Sequence, residues 1–94
     1  LAKAGVTFTQ GYVSAPVCGP SRAGLMTGRN QVNFGFDNNP IVDKVELPQF
    51  DHDFVGLPID EKTIADRFAA LGYVNGLVGK WHLGEADHFH PLKS

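Results

Sequence analysis

The sequence predicts an α/β fold in which short strands alternate with helices. Val6–Thr9 alternates apolar and polar side chains, which is typical of a strand, and a helical pattern follows from about Pro20 to Thr27. A second helical pattern precedes the short apolar run Tyr73–Val78, which is typical of a buried strand parallel to the first. Helices that alternate with strands in this way indicate the α/β class.

Composition limits the classes of protein to consider. The chain has 94 residues, of which 43% are hydrophobic and 11% aromatic, so we expect one small folded domain at most. The formal net charge is −2 with scattered charges, which argues against a nucleic-acid partner. No run approaches the ~20 apolar residues that a membrane helix needs, so we expect no membrane span. The single cysteine, Cys18, excludes an internal disulfide.

The stretch Cys18-Gly19-Pro20-Ser21-Arg22 combines this cysteine with a helix start. Pro20 suits the first turn of a helix, because its φ is already helical and its missing N–H costs nothing there. Gly28 is expected near the helix end. The start of a helix favours an anion, and the guanidinium of Arg22, one turn in, matches a tetrahedral oxyanion. The stretch therefore predicts a reactive side chain aimed at an anionic substrate.

Residues 30–58 show no sustained period and predict a long irregular loop. We expect four aromatic side chains to anchor this loop: Phe34, Phe36, Phe50 and Phe54. His52, with Asp51 and Asp53, is interpreted as part of a solvated loop and not as a site.

The second helix is expected to begin after Asp60, a good N-cap, with Glu61 in its first turn and Gly72 as its stop. Its apolar positions have helical spacing: Ile64, Phe68 and Leu71.

Lys80 and His82 follow the second predicted strand, where open α/β sheets bind ligands. In an extended segment these two side chains point to one face, while Trp81 points to the core. One cation and one imidazole could then contact the same ligand.

Each motif also has a purely structural interpretation. Cys18 could be an inert buried thiol, and Lys80 to His82 an ordinary surface segment at a strand end. A zinc site from His82, His88 and His90 is disfavoured, because their spacing matches no reliable zinc motif.

The two motifs together resemble the two signatures of the type I, formylglycine-dependent sulfatases. Cys-x-Pro-Ser-Arg at 18–22, continued by Leu-Met-Thr-Gly-Arg at 25–29, resembles the first signature. Gly72-Tyr73, followed by Gly-Lys-Trp-His-Leu-Gly at 79–84, resembles the second. Family members are several times longer, so the resemblance implies that residues 1–94 are a partial, N-terminal portion of a sulfatase catalytic domain. The implied fold is a fragment of an alkaline-phosphatase-like α/β/α sandwich, with about two strands, two helices and a long irregular loop.

The resemblance also implies a mechanism. A formylglycine-generating enzyme would oxidise Cys18 to formylglycine, an aldehyde that hydrates to a geminal diol. One hydroxyl attacks sulfur and displaces the alcohol, and proton loss from the other reforms the aldehyde and releases sulfate. By the same resemblance, Arg22 orients the diol, Lys80 binds a sulfate oxygen, and His82 hydrogen-bonds the diol and helps to remove the proton.

Calcium is the cofactor that the resemblance implies, held by position 18 as formylglycine and by main ligands outside this chain. We therefore expect the isolated chain to be inactive and to bind calcium weakly. The implied substrate is a sulfated small molecule or carbohydrate, and the implied location is periplasmic, extracellular or lysosomal. Exposed sheet edges would favour self-association. The alternatives are a phosphonate monoester or phosphodiester hydrolase with the same nucleophile motif, and a non-catalytic remnant.

Overall fold

The computed structural model describes residues 2–40 and 55–92. Within these ranges it contains two α-helices, α1 (Cys18–Thr27) and α2 (Ile64–Ala69), and two short 3-10 helices, Gln31–Phe34 and Asp87–Phe89. The expected anchors Phe50 and Phe54 and the residues around His52 lie outside the described residues.

Helix α1 confirms the predicted first helix. It begins at Cys18, two residues before Pro20, and ends at Thr27, with Gly28 as its C-cap at a φ of 68°. Glycine adopts this left-handed conformation without the steric cost of a Cβ. The Gly28 N–H donates to the Gly24 carbonyl at 2.9 Å. The N-cap residue of α1, Val17, makes no side-chain hydrogen bond to the helix.

A 3-10 turn follows α1 at the start of the predicted loop. The Asn30 side chain accepts a hydrogen bond from the Val32 N–H at 3.1 Å, and Phe36 N–H donates to the Gln31 carbonyl at 3.0 Å. Phe36 is buried and Phe34 is half-buried. The expectation that these two phenylalanines anchor the loop is therefore confirmed.

Helix α2 is shorter than the predicted helix, and its N-cap is Thr63, so the prediction of an N-cap at Asp60 is wrong. Thr63 and Asp66 form a capping box: Thr63 N–H donates to Asp66 Oδ2 at 2.7 Å, and Asp66 N–H donates to Thr63 Oγ1 at 3.3 Å. The Thr63 hydrogen bonds lower the pKa of the Asp66 carboxyl. These two reciprocal hydrogen bonds give partners to N–H groups at the start of α2, so the N-cap lies three residues later than expected.

The two predicted strands are not confirmed. Among residues 2–40 and 55–92 the structure shows no strand, and its β-pairing is one isolated antiparallel bridge between Gly56 and Gly84. A strand requires a hydrogen-bonded neighbour, and neither Val6–Thr9 nor Tyr73–Val78 pairs with another described segment. The part of the chain that is described thus has two helices and no sheet edge, so self-association through such edges stays a prediction.

A small core joins α1 to the segment that contains His82. It consists of Ala23, Phe36, Leu57 and Leu83. Met26, Phe34 and Trp81 pack against this cluster, in agreement with the core position expected for Trp81. The core therefore fixes the spacing between the two motifs. Neither helix of the described residues is long and apolar enough to span a bilayer.

Candidate active site

The structure brings the cysteine of the first motif against the histidine of the second. Cys18 is the first residue of α1, and its Sγ lies 3.2 Å from Nδ1 of His82, 64 positions later in the sequence. The contact is half-buried. Two of the four predicted site residues are therefore in direct contact.

Arg22 connects α1 to the second motif through the backbone. Its Nη1 donates to the Lys80 carbonyl oxygen at 2.6 Å. Its Nε is buried and has no hydrogen-bond partner within residues 2–40 and 55–92. Arg22 lies one helical turn after Cys18. Its guanidinium thus holds the backbone of Lys80, two residues before His82. Its predicted contact with the diol stays a prediction.

His82 has an unusual backbone conformation. Its φ of 59° is the only positive φ at a non-glycine residue in the described ranges. A non-glycine residue in this region costs of order 1–3 kcal/mol, and such residues cluster at functional sites. A left-handed residue interrupts the alternation of an extended segment. The imidazole therefore reaches Cys18 from a residue with a left-handed backbone and not from a regular extended segment.

Core contacts hold the backbone directly after His82. The Leu83 side chain is fully buried, and its carbonyl oxygen accepts a hydrogen bond from the Leu57 N–H at 2.7 Å. Both leucines belong to the core that contacts α1. The residue directly after His82 is thus held by burial and by a backbone hydrogen bond.

The aromatic ring of Phe89 also holds the backbone near His82. The buried Phe89 ring packs against the backbones of Gly56 and Gly84, so closely that a Cβ at either glycine would lie 2.6 Å from a ring atom. Trp81 Nε1 donates to the Phe89 carbonyl at 2.8 Å. The 3-10 turn at Phe89 therefore contacts residues on both sides of His82. Sequence reasoning missed this role, because residues 85–94 show no regular pattern.

Neighbouring charges lower the pKa of both Cys18 and His82. Burial raises the pKa of the Cys18 thiol, but the Lys80 charge and the Gly19 N–H outweigh it, and the net pKa is below its usual value. Burial lowers the pKa of His82, and the charges of Lys80 and Arg22 lower it further. The imidazole is therefore neutral near pH 7 and can accept a proton.

Asn39 is a third side chain at this site, and sequence reasoning missed it. Its Oδ1 accepts a hydrogen bond from the Gly19 N–H at 2.7 Å and lies 3.3 Å from Cys18 Sγ. Nothing in the local sequence marks Asn39 among the several asparagines of the irregular loop. Only the folded chain shows which of them reaches α1.

Arg29, the last residue of the first motif, forms an ion pair at the other end of α1. Its Nη1 lies 2.5 and 2.6 Å from the two carboxylate oxygens of Glu61. The Arg29 guanidinium also lies 5.8 Å from the centre of the Phe34 ring. These contacts attach the end of α1 to the segment before α2, away from Cys18.

The described residues contain no cluster of side chains typical of a site for the calcium that the resemblance implies. Within residues 2–40 and 55–92 no group of three or more His, Cys, Asp or Glu side chains could hold a metal ion. Cys18, the one predicted ligand position, is surrounded by His82, Asn39 and backbone.

Comparison with known families identifies the chain. A family model described as Sulfatase matches residues 1–93. The chain belongs to the sulfatase family. It is 38% identical to human Arylsulfatase G over 91 residues, which are 97% of this chain and 16% of that protein. It is 40% identical to human N-acetylgalactosamine-6-sulfatase over an alignment of 95 positions, which covers 99% of this chain and 18% of that protein.

Two solved structures also match this chain. The crystal structure of Ps i-CgsB matches with a TM-score of 0.69 and 38% identity, over 87% of this chain and 16% of that one. Its complex with k-i-k-neocarrahexaose matches with a TM-score of 0.69 and 37% identity. These matches support the α/β fold class. The chain spans less than a fifth of the curated relatives and solved chains described above.

Proposed function

We propose that this chain is the N-terminal portion of the catalytic domain of a sulfatase, a hydrolase of sulfuric esters, with Cys18 as the precursor of its nucleophile. The observation that supports this most is the 3.2 Å contact between Cys18 Sγ and His82 Nδ1. One residue from each of the two family motifs takes part in this contact, which supports a shared site. Membership of the sulfatase family supports the same reading.

Each motif residue has a role that its surroundings support. Conversion of Cys18 to formylglycine by a formylglycine-generating enzyme would supply a hydrated aldehyde as the nucleophile. The start of α1 and the Lys80 charge attract the anionic ester. The neutral His82 imidazole accepts a proton from position 18, at which its Nδ1 points. Arg22 holds the Lys80 backbone, and hence His82, at a fixed distance from α1.

The substrate we propose is a sulfated carbohydrate or small molecule. One relative is an N-acetylgalactosamine-6-sulfatase, and one matching structure is a complex with k-i-k-neocarrahexaose. In the whole protein we propose calcium as the cofactor, with its main ligands outside the described residues. An exported location is part of the same proposal.

The test compares ester classes in the whole protein that contains this chain. Matched aryl sulfate and aryl phosphonate substrates are assayed with the native protein and with Cys18→Ala. We expect faster turnover of the sulfate and complete loss of activity in Cys18→Ala, while the 94-residue chain by itself turns over neither.

Faster turnover of the phosphonate would assign the phosphonate or phosphodiester hydrolase instead. Full activity of Cys18→Ala would show that the cysteine is not the nucleophile precursor. A protein that is inactive on both substrates and retains a plain thiol at Cys18 would be the non-catalytic remnant.

A further inference from the structure

The start of α1 is capped from a distant part of the chain. Val17, the N-cap residue, provides no side-chain hydrogen bond, and its place is taken by Asn39, whose Oδ1 accepts the Gly19 N–H at 2.7 Å. The first N–H groups of a helix have no intrahelical partner, so an acceptor at this point stabilises the helix start. The loop that contains Asn39 is thereby attached to the residue next to Cys18.

The same oxygen faces position 18. Asn39 Oδ1 lies 3.3 Å from Cys18 Sγ, and His82 Nδ1 lies 3.2 Å from the same sulfur. The side chain at position 18 is therefore between an amide oxygen and an imidazole. Space is tight here, since a Cβ at Gly19 would lie 2.8 Å from Asn39 Oδ1 and 3.1 Å from Pro40 Cδ. Glycine at position 19 allows this close approach.

The orientation of the Asn39 amide follows from its donor. The Gly19 N–H can only donate, so the amide atom that faces it is the oxygen. A carbonyl oxygen has two lone pairs, and one remains for a second donor after the Gly19 N–H is bound. Cys18 Sγ, 3.3 Å from this oxygen, lies within reach of that second lone pair.

We propose that Asn39 is a further positioning residue of the sulfatase site, which accepts a hydrogen bond from a hydroxyl at position 18. The inference rests on the proposed function, because it concerns the hydrated aldehyde formed there. On hydration, water adds to the carbonyl carbon, and one proton passes to the former carbonyl oxygen without any change in oxidation state. One of the two resulting hydroxyls donates to Asn39, and the other is left for His82.

The chemistry of the two acceptors separates their roles. A neutral amide neither takes nor releases a proton near pH 7, so Asn39 orients its hydroxyl and keeps it protonated. The imidazole of His82 can take a proton. Asn39 thus favours the hydrated form and presents the other hydroxyl to His82.

The experiment uses the whole protein, its Asn39→Ala and Asn39→Asp variants, and Asn38→Ala as the control. Asn38 is the adjacent residue of the same type, and it is exposed. The first readout is hydrogen exchange at the Gly19 amide in unmodified protein, measured by mass spectrometry. A hydrogen bond contributes about 0.5–1.5 kcal/mol, so we expect exchange to rise about 2- to 10-fold in Asn39→Ala and to stay unchanged in Asn38→Ala. Native exchange in Asn39→Ala would contradict the contact.

The second readout is the rate at which a hydroxylamine probe forms an oxime at position 18, normalised to the aldehyde content found by mass spectrometry. Loss of the acceptor destabilises the hydrate, so free aldehyde and oxime rate are expected to rise about 2- to 10-fold in Asn39→Ala. Asn39→Asp retains an acceptor and the side-chain size, so its rate stays at or below the native rate even if Asn39→Ala fails to fold.

A native oxime rate in folded Asn39→Ala, or a faster rate in Asn39→Asp, would overturn the proposal. A native protein that contains no aldehyde at position 18 would contradict the proposed function. The exchange rate at Gly19 would then decide the Asn39 contact independently.

Discussion

Two parts of the molecule differ in how far their apolar side chains are buried. The site region, residues 18–40 and 80–89, contributes most of the small core, with Ala23 and Leu83 fully buried. The apolar segments, residues 6–13 and 71–78, are exposed, with Phe8 at 82% and Val74 at 98%. The comparison teaches that the site depends on a few contacts within this chain, whereas a strand depends on a neighbour that these segments lack among the described residues.

The largest effect is expected from removal of the imidazole in the site region. His82→Ala in the whole protein should lower kcat/KM for an aryl sulfate by about 10²–10⁴-fold, because positioned acid–base groups contribute that much. His90→Ala is the matched control, since His90 is exposed and outside the Cys18 contact. Steady-state kinetics measure both. Equal losses in the two variants would mean that His82 has no special part in the reaction.

The two regions can be compared directly with one pair of phenylalanines. Phe89→Ala in this chain should lower the free energy of unfolding by about 3–5 kcal/mol, because the buried ring leaves a cavity between two glycines. Phe8→Ala should change it by less than about 0.5 kcal/mol, as expected for an exposed residue. Denaturant titration followed by circular dichroism gives both values. A loss at Phe8 as large as that at Phe89 would show that the apolar segments are packed.

A pair of glycines sharpens the same comparison with a smaller effect. Gly84 has a φ of 127° and lies against the Phe89 ring, so Gly84→Ala should cost about 1–3 kcal/mol of unfolding free energy. Gly76 lies in an apolar segment, and a Cβ there would meet no atom within 4 Å. Gly76→Ala should therefore change stability by less than about 0.5 kcal/mol. The same titrations test both variants, and a reversed order would contradict the packing described for Phe89.

The smallest effect is a pH dependence of stability from His82. Burial lowers the pKa of His82 in the folded chain, with help from the Lys80 and Arg22 charges, whereas an unfolded histidine titrates at about 6.5. As pH falls below about 6.5, the unfolded chain binds the proton first, so the free energy of unfolding decreases until the folded imidazole is also protonated. His82→Gln should lose this part of the dependence. If the free energy of unfolding depended on pH below 7 in the same way in the native chain and in this variant, the prediction would be contradicted.

The sequence was sufficient for the local features of α1 and insufficient for the contacts between distant segments. Pro20 and Gly28 predicted the position of α1, because their backbone preferences are local. The start of α2 was misplaced, because Asp60 and Thr63 are both good N-caps and only the partner carboxylate of Asp66 distinguishes them.

The site was predicted in part. The resemblance paired Cys18 with His82, and the structure places them in contact. The left-handed backbone of His82 and the reach of Asn39 to Gly19 depend on packing between residues far apart in sequence, which leaves no periodic signal. For the two predicted strands, the local pattern of residues favours a strand. A strand also needs a second segment with which to form hydrogen bonds, and the local pattern does not show that segment.

The central claim is that position 18 becomes an aldehyde nucleophile where α1 meets His82. Mass spectrometry of the peptide that contains Cys18, prepared from the whole protein of its native host, tests it most directly. We expect the aldehyde in place of the thiol, and loss of aryl sulfate turnover when Cys18→Ala removes it. A plain thiol in a fully active protein would contradict the account.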